Sequence, residues 1–221
     1  MGSFRFDMVV GYWPDIVDGA LLTLKMSAVS IGLGLVLGLM LALMRYSRVP
    51  WLDWPAYAYI EFFRTTPPLV QIVWLYYGLP MFFGRDLNEF WSAAVALGLN
   101  IAAFFAEIFR AGIAGIDRTQ WQASRVLGLS LTDTLRFVIL PQAWRNVLPP
   151  TGTTVIYLVK GTALATAIGV PELLRVGQLI SLETFRPVES LTIVAIAYFV
   201  LTYPIALAFQ AIERRLAASR V

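Results

Sequence analysis

Three charged features interrupt otherwise apolar stretches of this 221-residue sequence: Glu61 with Arg64, Glu107 with Arg110, and Lys160 followed by Gly161 and Thr162. A charge at the centre of a bilayer costs about 2.5–3.5 kcal/mol on insertion scales, so such groups are candidates for binding a charged solute. Glu61 and Arg64 are three residues apart, as are Glu107 and Arg110, which places each pair on one helix face. Each pair can therefore neutralise itself near a span end, or contact a solute. Gly161 beside Lys160 could let a helix unwind and offer backbone groups to a ligand. Lys160 itself is a candidate for attracting a carboxylate, with pairing to Glu107 or snorkelling as the plainer alternatives. Glu61, Arg64, Glu107, Lys160, Gly161 and Thr162 form the candidate solute pathway.

Catalysis has little to draw on here. Histidine and cysteine are both absent. That removes the commonest acid–base group, the commonest metal ligand, the thiolate nucleophile and any disulfide. No catalytic set and no metal site is legible. A P-loop needs Gly-Lys-[Ser/Thr] after a glycine-rich turn. The two lysines, Lys25 and Lys160, instead follow Leu24 and Val159. ATP hydrolysis by this chain is excluded, and no cofactor is expected on it. The pI near 9.3 does not point to nucleic acid, because the basic residues form no single patch.

The elements that must position these residues are membrane helices. The sequence is 58% hydrophobic and 14% charged, with a mean hydropathy of +0.71. Soluble domains run near 45–50% apolar and about 25% charged. Stretches of about 20 apolar residues, enough for a helix to cross a bilayer, fall near 21–44, 58–83, 89–112, 146–168 and 190–212, the fourth interrupted by Lys160. The expectation is an all-α integral membrane protein with five transmembrane helices. Its organisation is an N-terminal segment 1–20, a membrane domain 21–213 and a tail 214–221. Segments holding Arg45, Arg48, Arg118, Arg125, Arg136, Arg145, Arg214, Arg215 and Arg220 alternate with segments holding only Arg5, Arg85, Arg175 and Arg186. The Arg-rich side is cytoplasmic by the positive-inside rule, so the N-terminus lies outside and the C-terminus inside. Gly34 and Gly38 form a G-x-x-x-G that permits close helix packing and is a candidate seam between two copies.

Residues 116–145, between the third and fourth spans, read as a folded loop. Trp121, Ser124, Leu127 and Gly128 recur at helical spacing, and Ser130 with Asp133 can open a second helix. Leu131, Leu135, Val138 and Ile139 give that helix an apolar stripe, and Pro141 is expected to end it. Pattern alone fits an interfacial amphipathic helix equally well.

The loop resembles the EAA motif of ABC-importer permeases, Glu-Ala-Ala, three residues, Gly, nine residues, Ile-x-Leu-Pro. Gln122, Ala123 and Ser124 stand for the first three residues, Gly128 for the glycine, and Val138, Leu140 and Pro141 for the end. Gln122 replaces the usual Glu, so an ion pair at that position is lost while the spacing survives. Glu61-Phe62-Phe63-Arg64-Thr65-Thr66-Pro67 is similar to the E-F-F-R-G-T-P segment of polar amino-acid importers. Ala106-Glu107-Ile108-Phe109-Arg110 resembles their A-E-I-x-R, and Ile168-Gly169-Val170-Pro171-Glu172-Leu173-Leu174 their I-G-V-P-E-L-L. The chain is identified as a member of the polar amino-acid permeases of ABC importers, in the histidine, glutamine and glutamate uptake group.

The resemblance implies the type I importer permease fold in a bacterial plasma (inner) membrane, and import of a polar amino acid or an opine. It implies an ABC ATPase dimer, which uses ATP and Mg, docked on the EAA-like loop. It also implies a second permease chain, identical or paralogous, and a periplasmic substrate-binding protein. The rivals are an ion-coupled secondary transporter, a small channel without an ATPase, a membrane-embedded enzyme and a scaffold subunit. An internal repeat or intramembrane carboxylates would favour the first, and only Glu107 and Glu61 offer the latter.

Overall fold

The computed structural model describes residues 5–47, 49–84 and 88–218. Arg48, Arg85 and Arg220, part of the charge comparison, lie outside the described residues, as do residues 1–4 and 219–221 of the two end segments. Glycine, alanine and serine recur inside the apolar stretches, and small residues let helices pack backbone to backbone. The helices in order are α1 (Asp7–Val10), α2 (Trp13–Tyr46), α3 (Pro50–Thr65), α4 (Pro68–Val73), α5 (Leu79–Phe83) and α6 (Glu89–Ala114). There follow α7 (Arg118–Val126), α8 (Leu131–Asp133), α9 (Leu140–Gly161), α10 (Leu173–Thr184) and α11 (Pro187–Ala218). No strand occurs among the described residues.

α6 is the central post. Ala93, Ala94, Ala96, Ala102, Ala103 and Ala106 are all buried on it, and α2, α3 and α9 pack around it. The G-x-x-x-G of α2 faces α6 of the same chain. A Cβ on Gly34 would lie 2.3 Å from Ile101 Cγ2, and one on Gly38 would lie 2.7 Å from Phe105 Cβ and 2.9 Å from the Ala102 carbonyl. This corrects the expected seam between copies: the two glycines are consumed by an intramolecular contact. Gly112 seats Val147 of α9, and Gly177 of α10 seats Val194 of α11, in the same way.

Among the described residues, three helices, α2, α6 and α11, are long and apolar enough to cross a membrane. A fourth arises if Leu131–Ile168 and Leu173–Thr184, bent by 52°, are taken as one broken span. The apolar stretch 58–83 is divided. α3 stops at Thr65, the chain is extended at Thr66 and Pro67 (ψ 141° and 130°), and α4 restarts at Pro68. Proline forces the residue before it out of the helical region, which places the break.

Carbonyls freed by the break are satisfied by side chains, as the interior of a membrane requires. Gln71 Nε2 donates to the Thr66 carbonyl at 3.1 Å and the Thr66 hydroxyl at 2.6 Å. Asn100 Nδ2 donates to the Phe63 carbonyl at 2.8 Å and to Gln71 Oε1 at 3.1 Å. α6 thereby holds the divided span in register.

Candidate coupling loop and membrane groove

Local chemistry shapes the loop between α6 and α9. Asp117 caps α7 by accepting the Thr119 N–H at 2.9 Å, which holds its carboxyl below the usual carboxylate range. α7 ends on Gly128, whose φ is +70°. The Leu129 N–H reaches the Ser124 carbonyl and the Gly128 N–H the Arg125 carbonyl, both at 3.0 Å. This is a Schellman turn, which needs a left-handed residue just past the helix end, and glycine takes that conformation without a Cβ clash. Ser130 then accepts the Asp133 N–H at 3.1 Å and opens α8.

Pro141 does not end the second helix. Thr134–Ile139 is wound as a π-helix that leads directly into α9, with Pro141 in its first turn. The wider π turn reroutes the ladder where proline lacks a donor, so the helix passes through the proline instead of stopping.

Ile116, Ile139 and Ala143 form a small buried core that anchors the loop, with Ile113, Trp121, Leu135 and Val138 packed against it. Of the EAA-like residues, Val138 packs on this core and Ser124 is buried, while Gln122, Ala123, Leu140 and Pro141 are exposed. Leu131, expected on the apolar stripe, points to solvent instead. Val126 (87% exposed), Leu127 (76%), Leu131 (69%) and Phe137 (65%) form an exposed apolar crown on the loop, with the Arg136 guanidinium over the Phe137 ring at 5.4 Å from its centroid.

The candidate pathway residues separate into two places. Arg64 and Glu107 line one groove of about 670 Å³ between α3, α6 and α9, together with Phe104, Asn146, Thr153 and Thr154. Glu61, Lys160, Gly161 and Thr162 do not line it. Glu107 is neutralised by Arg110, whose Nε donates to its two oxygens at 3.0 and 3.2 Å while Nη2 adds a third bond. Glu61 makes no such pair with Arg64 among the described residues; the Arg64 guanidinium lies over the Phe104 ring, 5.8 Å from its centroid.

Lys160 is exposed and, among the described residues, unpaired, so of the alternatives weighed for it the pairing with Glu107 is absent. At Gly161 the helix tightens into the 3-10 segment Thr162–Ile168 and does not unwind. Thr162 is buried, its hydroxyl donating to the Val159 carbonyl at 2.7 Å.

Two polar sites had no role legible in the sequence. One is the Gln71–Asn100 pair, signalled only by amides inside apolar runs. The other is Glu172, completely buried, which caps α10 by accepting the Arg175 N–H at 2.9 Å.

Residues 34–218, which hold the loop, the groove and most of the membrane helices, match the family described as the binding-protein-dependent transport system inner membrane component. The chain belongs to this family. It is thus an inner-membrane transport component, and ATP hydrolysis falls to a separate partner chain.

The chain is 36% identical to the arginine transport system permease protein of Bacillus subtilis (strain 168), over 97% of this chain and 98% of that one. It is 40% identical to the octopine transport system permease protein of Rhizobium meliloti, over 90% and 84% of the two chains. Its fold matches a chain from the crystal structure of an amino acid ABC transporter with histidines. The TM-score is 0.91 at 36% identity, with 97% of this chain and 100% of that chain covered. These likenesses make the all-helical importer-permease fold of this transport component plain.

Proposed function

We propose that the chain is the permease subunit of an ATP-driven importer that carries a polar amino acid or a related opine into the cytoplasm. In this reading it crosses the membrane five times, with the N-terminus outside and the C-terminus inside. It pairs with a second permease chain, identical or paralogous, and receives solute from a periplasmic binding protein. An ATPase dimer that uses ATP and Mg docks on the loop.

The observation that carries the reading is the apolar crown around Gly128. A surface of that kind, held on a rigid Schellman turn and stapled to the stems by its own small core, is built to enter a groove of a partner. Closure of the docked ATPase on ATP would press on the loop, whose two stems are α6 and α9. The divided second span and the 52° bend supply joints at which such a push can move helices. The arginine, octopine and amino-acid transport named for the relatives favours a carboxylate-bearing polar solute.

The test is co-purification in detergent with the cognate ATPase and binding protein, followed by uptake in proteoliposomes. Leu127→Glu puts a charge on the crown without altering the turn, and Gly128→Arg disturbs both. Loss of the ATPase in both variants, with intact wild-type assembly, supports the docking role. Retention of the ATPase by both variants, or uptake that proceeds without ATP, refutes it.

A further inference from the structure

A second groove, of about 540 Å³, runs between the start of α2 and α10, at the end of the molecule away from the loop. Its place follows from the helix directions. The Ser30 hydroxyl donates to the Ala94 carbonyl at 2.8 Å and Gly38 rests on Phe105, so α2 and α6 run side by side in the same sense. α6 ends at the loop, and the start of α2 therefore lies at the opposite membrane face. At the groove floor the two walls touch: a Cβ on Gly19 would lie 2.9 Å from Val176 Cγ2 and 3.2 Å from Leu173 Cα.

Charge is ordered along this groove. Asp15, Asp18 and Lys25 line it from α2, and Glu183 lines it from α10, hydrogen-bonded by the Tyr12 hydroxyl. Asp15, Asp18 and Lys25 are exposed and form no ion pair among the described residues. The apolar stretch of α2 begins near residue 21, between Asp18 and Lys25. The acids thus sit on the outer side of the hydrocarbon edge and the lysine on its inner side. Lys25 starts about 10 Å below Asp18 along the axis. Side chains on a helix lean toward its N-terminus, which carries the ammonium back up toward the acids.

The remaining walls are apolar. Leu21 and Leu22 of α2 and Leu179 and Ile180 of α10 line the groove, and Leu21 and Leu179 stay exposed. In a bilayer an acyl chain covers such surface.

A cation on the inner side, carboxylates on the outer side and apolar walls complement one kind of amphiphile. A phospholipid with an ethanolamine headgroup carries its phosphate at the hydrocarbon edge and its ammonium just outside. Lys25 can pair with the phosphate, while Asp15, Asp18 and Glu183 accept from the ammonium. A glycerol headgroup, with net negative charge, also satisfies Lys25 but is repelled by the carboxylates. That is the reverse of the preference for anionic lipid shown by a purely basic patch.

We propose that the groove between α2 and α10 binds an ethanolamine phospholipid of the leaflet opposite the loop, its phosphate held by Lys25 and its ammonium by Asp15, Asp18 and Glu183. The lipid bridges α2 and α10 beside their contact at Gly19. This site concerns the membrane and stands whichever solute the chain carries.

The test uses the assembled permease–ATPase complex in detergent, with native mass spectrometry reading bound lipid. The probes are phosphatidylethanolamine, phosphatidylcholine and phosphatidylglycerol of one short acyl length, and glycerophosphoethanolamine as a headgroup without chains. Wild type is expected to bind the ethanolamine lipid about threefold more tightly than the glycerol lipid, the scale of one exposed ion pair. The choline lipid should also bind more weakly, because its quaternary ammonium has no proton to donate. Lys25→Gln should weaken the ethanolamine lipid by a similar factor. Asp15→Asn combined with Asp18→Asn should raise glycerol-lipid binding to parity. All three positions are exposed, so these substitutions leave the packing in place.

Equal affinity of wild type for the ethanolamine and glycerol lipids overturns the proposal. So does unchanged binding in Lys25→Gln, or an unchanged headgroup preference in the double variant. Competition by glycerophosphoethanolamine as strong as that of the intact lipid would mean a soluble phosphate–amine ligand, and overturns it as well.

Discussion

The Tyr198 hydroxyl on α11 donates to Glu172 at 2.5 Å, and the Glu172 carboxylate is completely buried. Thr166 donates to its other oxygen at 2.7 Å, joining the Arg175 N–H already described. No cation reaches it among the described residues. Leu173, the next residue, donates its N–H to the Thr23 hydroxyl of α2 at 3.2 Å. One acidic side chain thus joins the 3-10 segment, α10 and α11, and its neighbour ties the junction to α2. A buried polar network of this kind is stabilising only while every member is satisfied.

Removing one donor from that junction should be costly. Tyr198→Phe is expected to lower stability by about 1–3 kcal/mol, the desolvation penalty of a buried group left short of a partner. Combined with Glu172→Gln, the loss should be smaller than the sum of the two single losses, since both remove the same bond. Thermal unfolding of the detergent-solubilised protein measures all three. Strict additivity would show that the two residues do not share an interaction.

The α2–α6 contact predicts opposite outcomes for two glycines on one helix. A Cβ at position 38 meets Phe105, the Ala102 carbonyl and the Ala106 nitrogen within 3.1 Å, while one at position 32 meets nothing within 4 Å. Gly38→Ala is expected to destabilise by about 1–3 kcal/mol through overpacking against backbone. Gly32→Ala should be neutral or stabilise by up to about 1 kcal/mol through helix propensity. Unfolding midpoints of the two variants, compared in one detergent, decide it.

Asn100 holds the divided second span. Asn100→Leu removes the 2.8 Å bond to Phe63 and leaves that carbonyl to Gln71 Nε2 alone, at 3.2 Å. The expected cost is about 1–3 kcal/mol, with amide hydrogen exchange rising around the break and unchanged in α11. Uniform loss of protection across the chain would instead mean that Asn100 supports the global fold and not the break.

The α7 cap should respond to acid. The Thr119 N–H holds the Asp117 carboxyl below its ordinary value, so the unfolded chain takes up a proton first as pH falls. The contribution is complete above about pH 4, the ordinary Asp value, and is lost as pH falls through the depressed folded value. Hydrogen exchange of α7 should therefore accelerate below that range in wild type. Asp117→Asn, which keeps the cap shape without the charge, should show no such step.

Legibility varied with the range of the interaction. The cap at Ser130 and the glycine at 128 are local devices, and their residue types and spacing were enough to mark them. The same local logic misled at Pro141, because a proline stop assumes a regular α-helix and the π segment before it relieves the conflict. Gly34 and Gly38 were readable as a packing face, but the partner of a face is a matter of topology. Arg64 and Glu107 were singled out separately as charges in apolar surroundings. That they share a groove, and that Lys160 does not, depends on how α3, α6 and α9 cross.

The sequence by itself determined that this is an all-helical membrane protein, since composition and apolar run length settle that against the cost of exposing polar backbone to lipid. It also marked the folded loop, because caps and turns are written in consecutive residues. The tertiary structure alone decided which charges are paired, which glycines are buried against which helix, and where a solute-sized space lies between the loop stems. Those outcomes depend on contacts between residues far apart in the chain, and the periodicity of one helix carries no record of its neighbour.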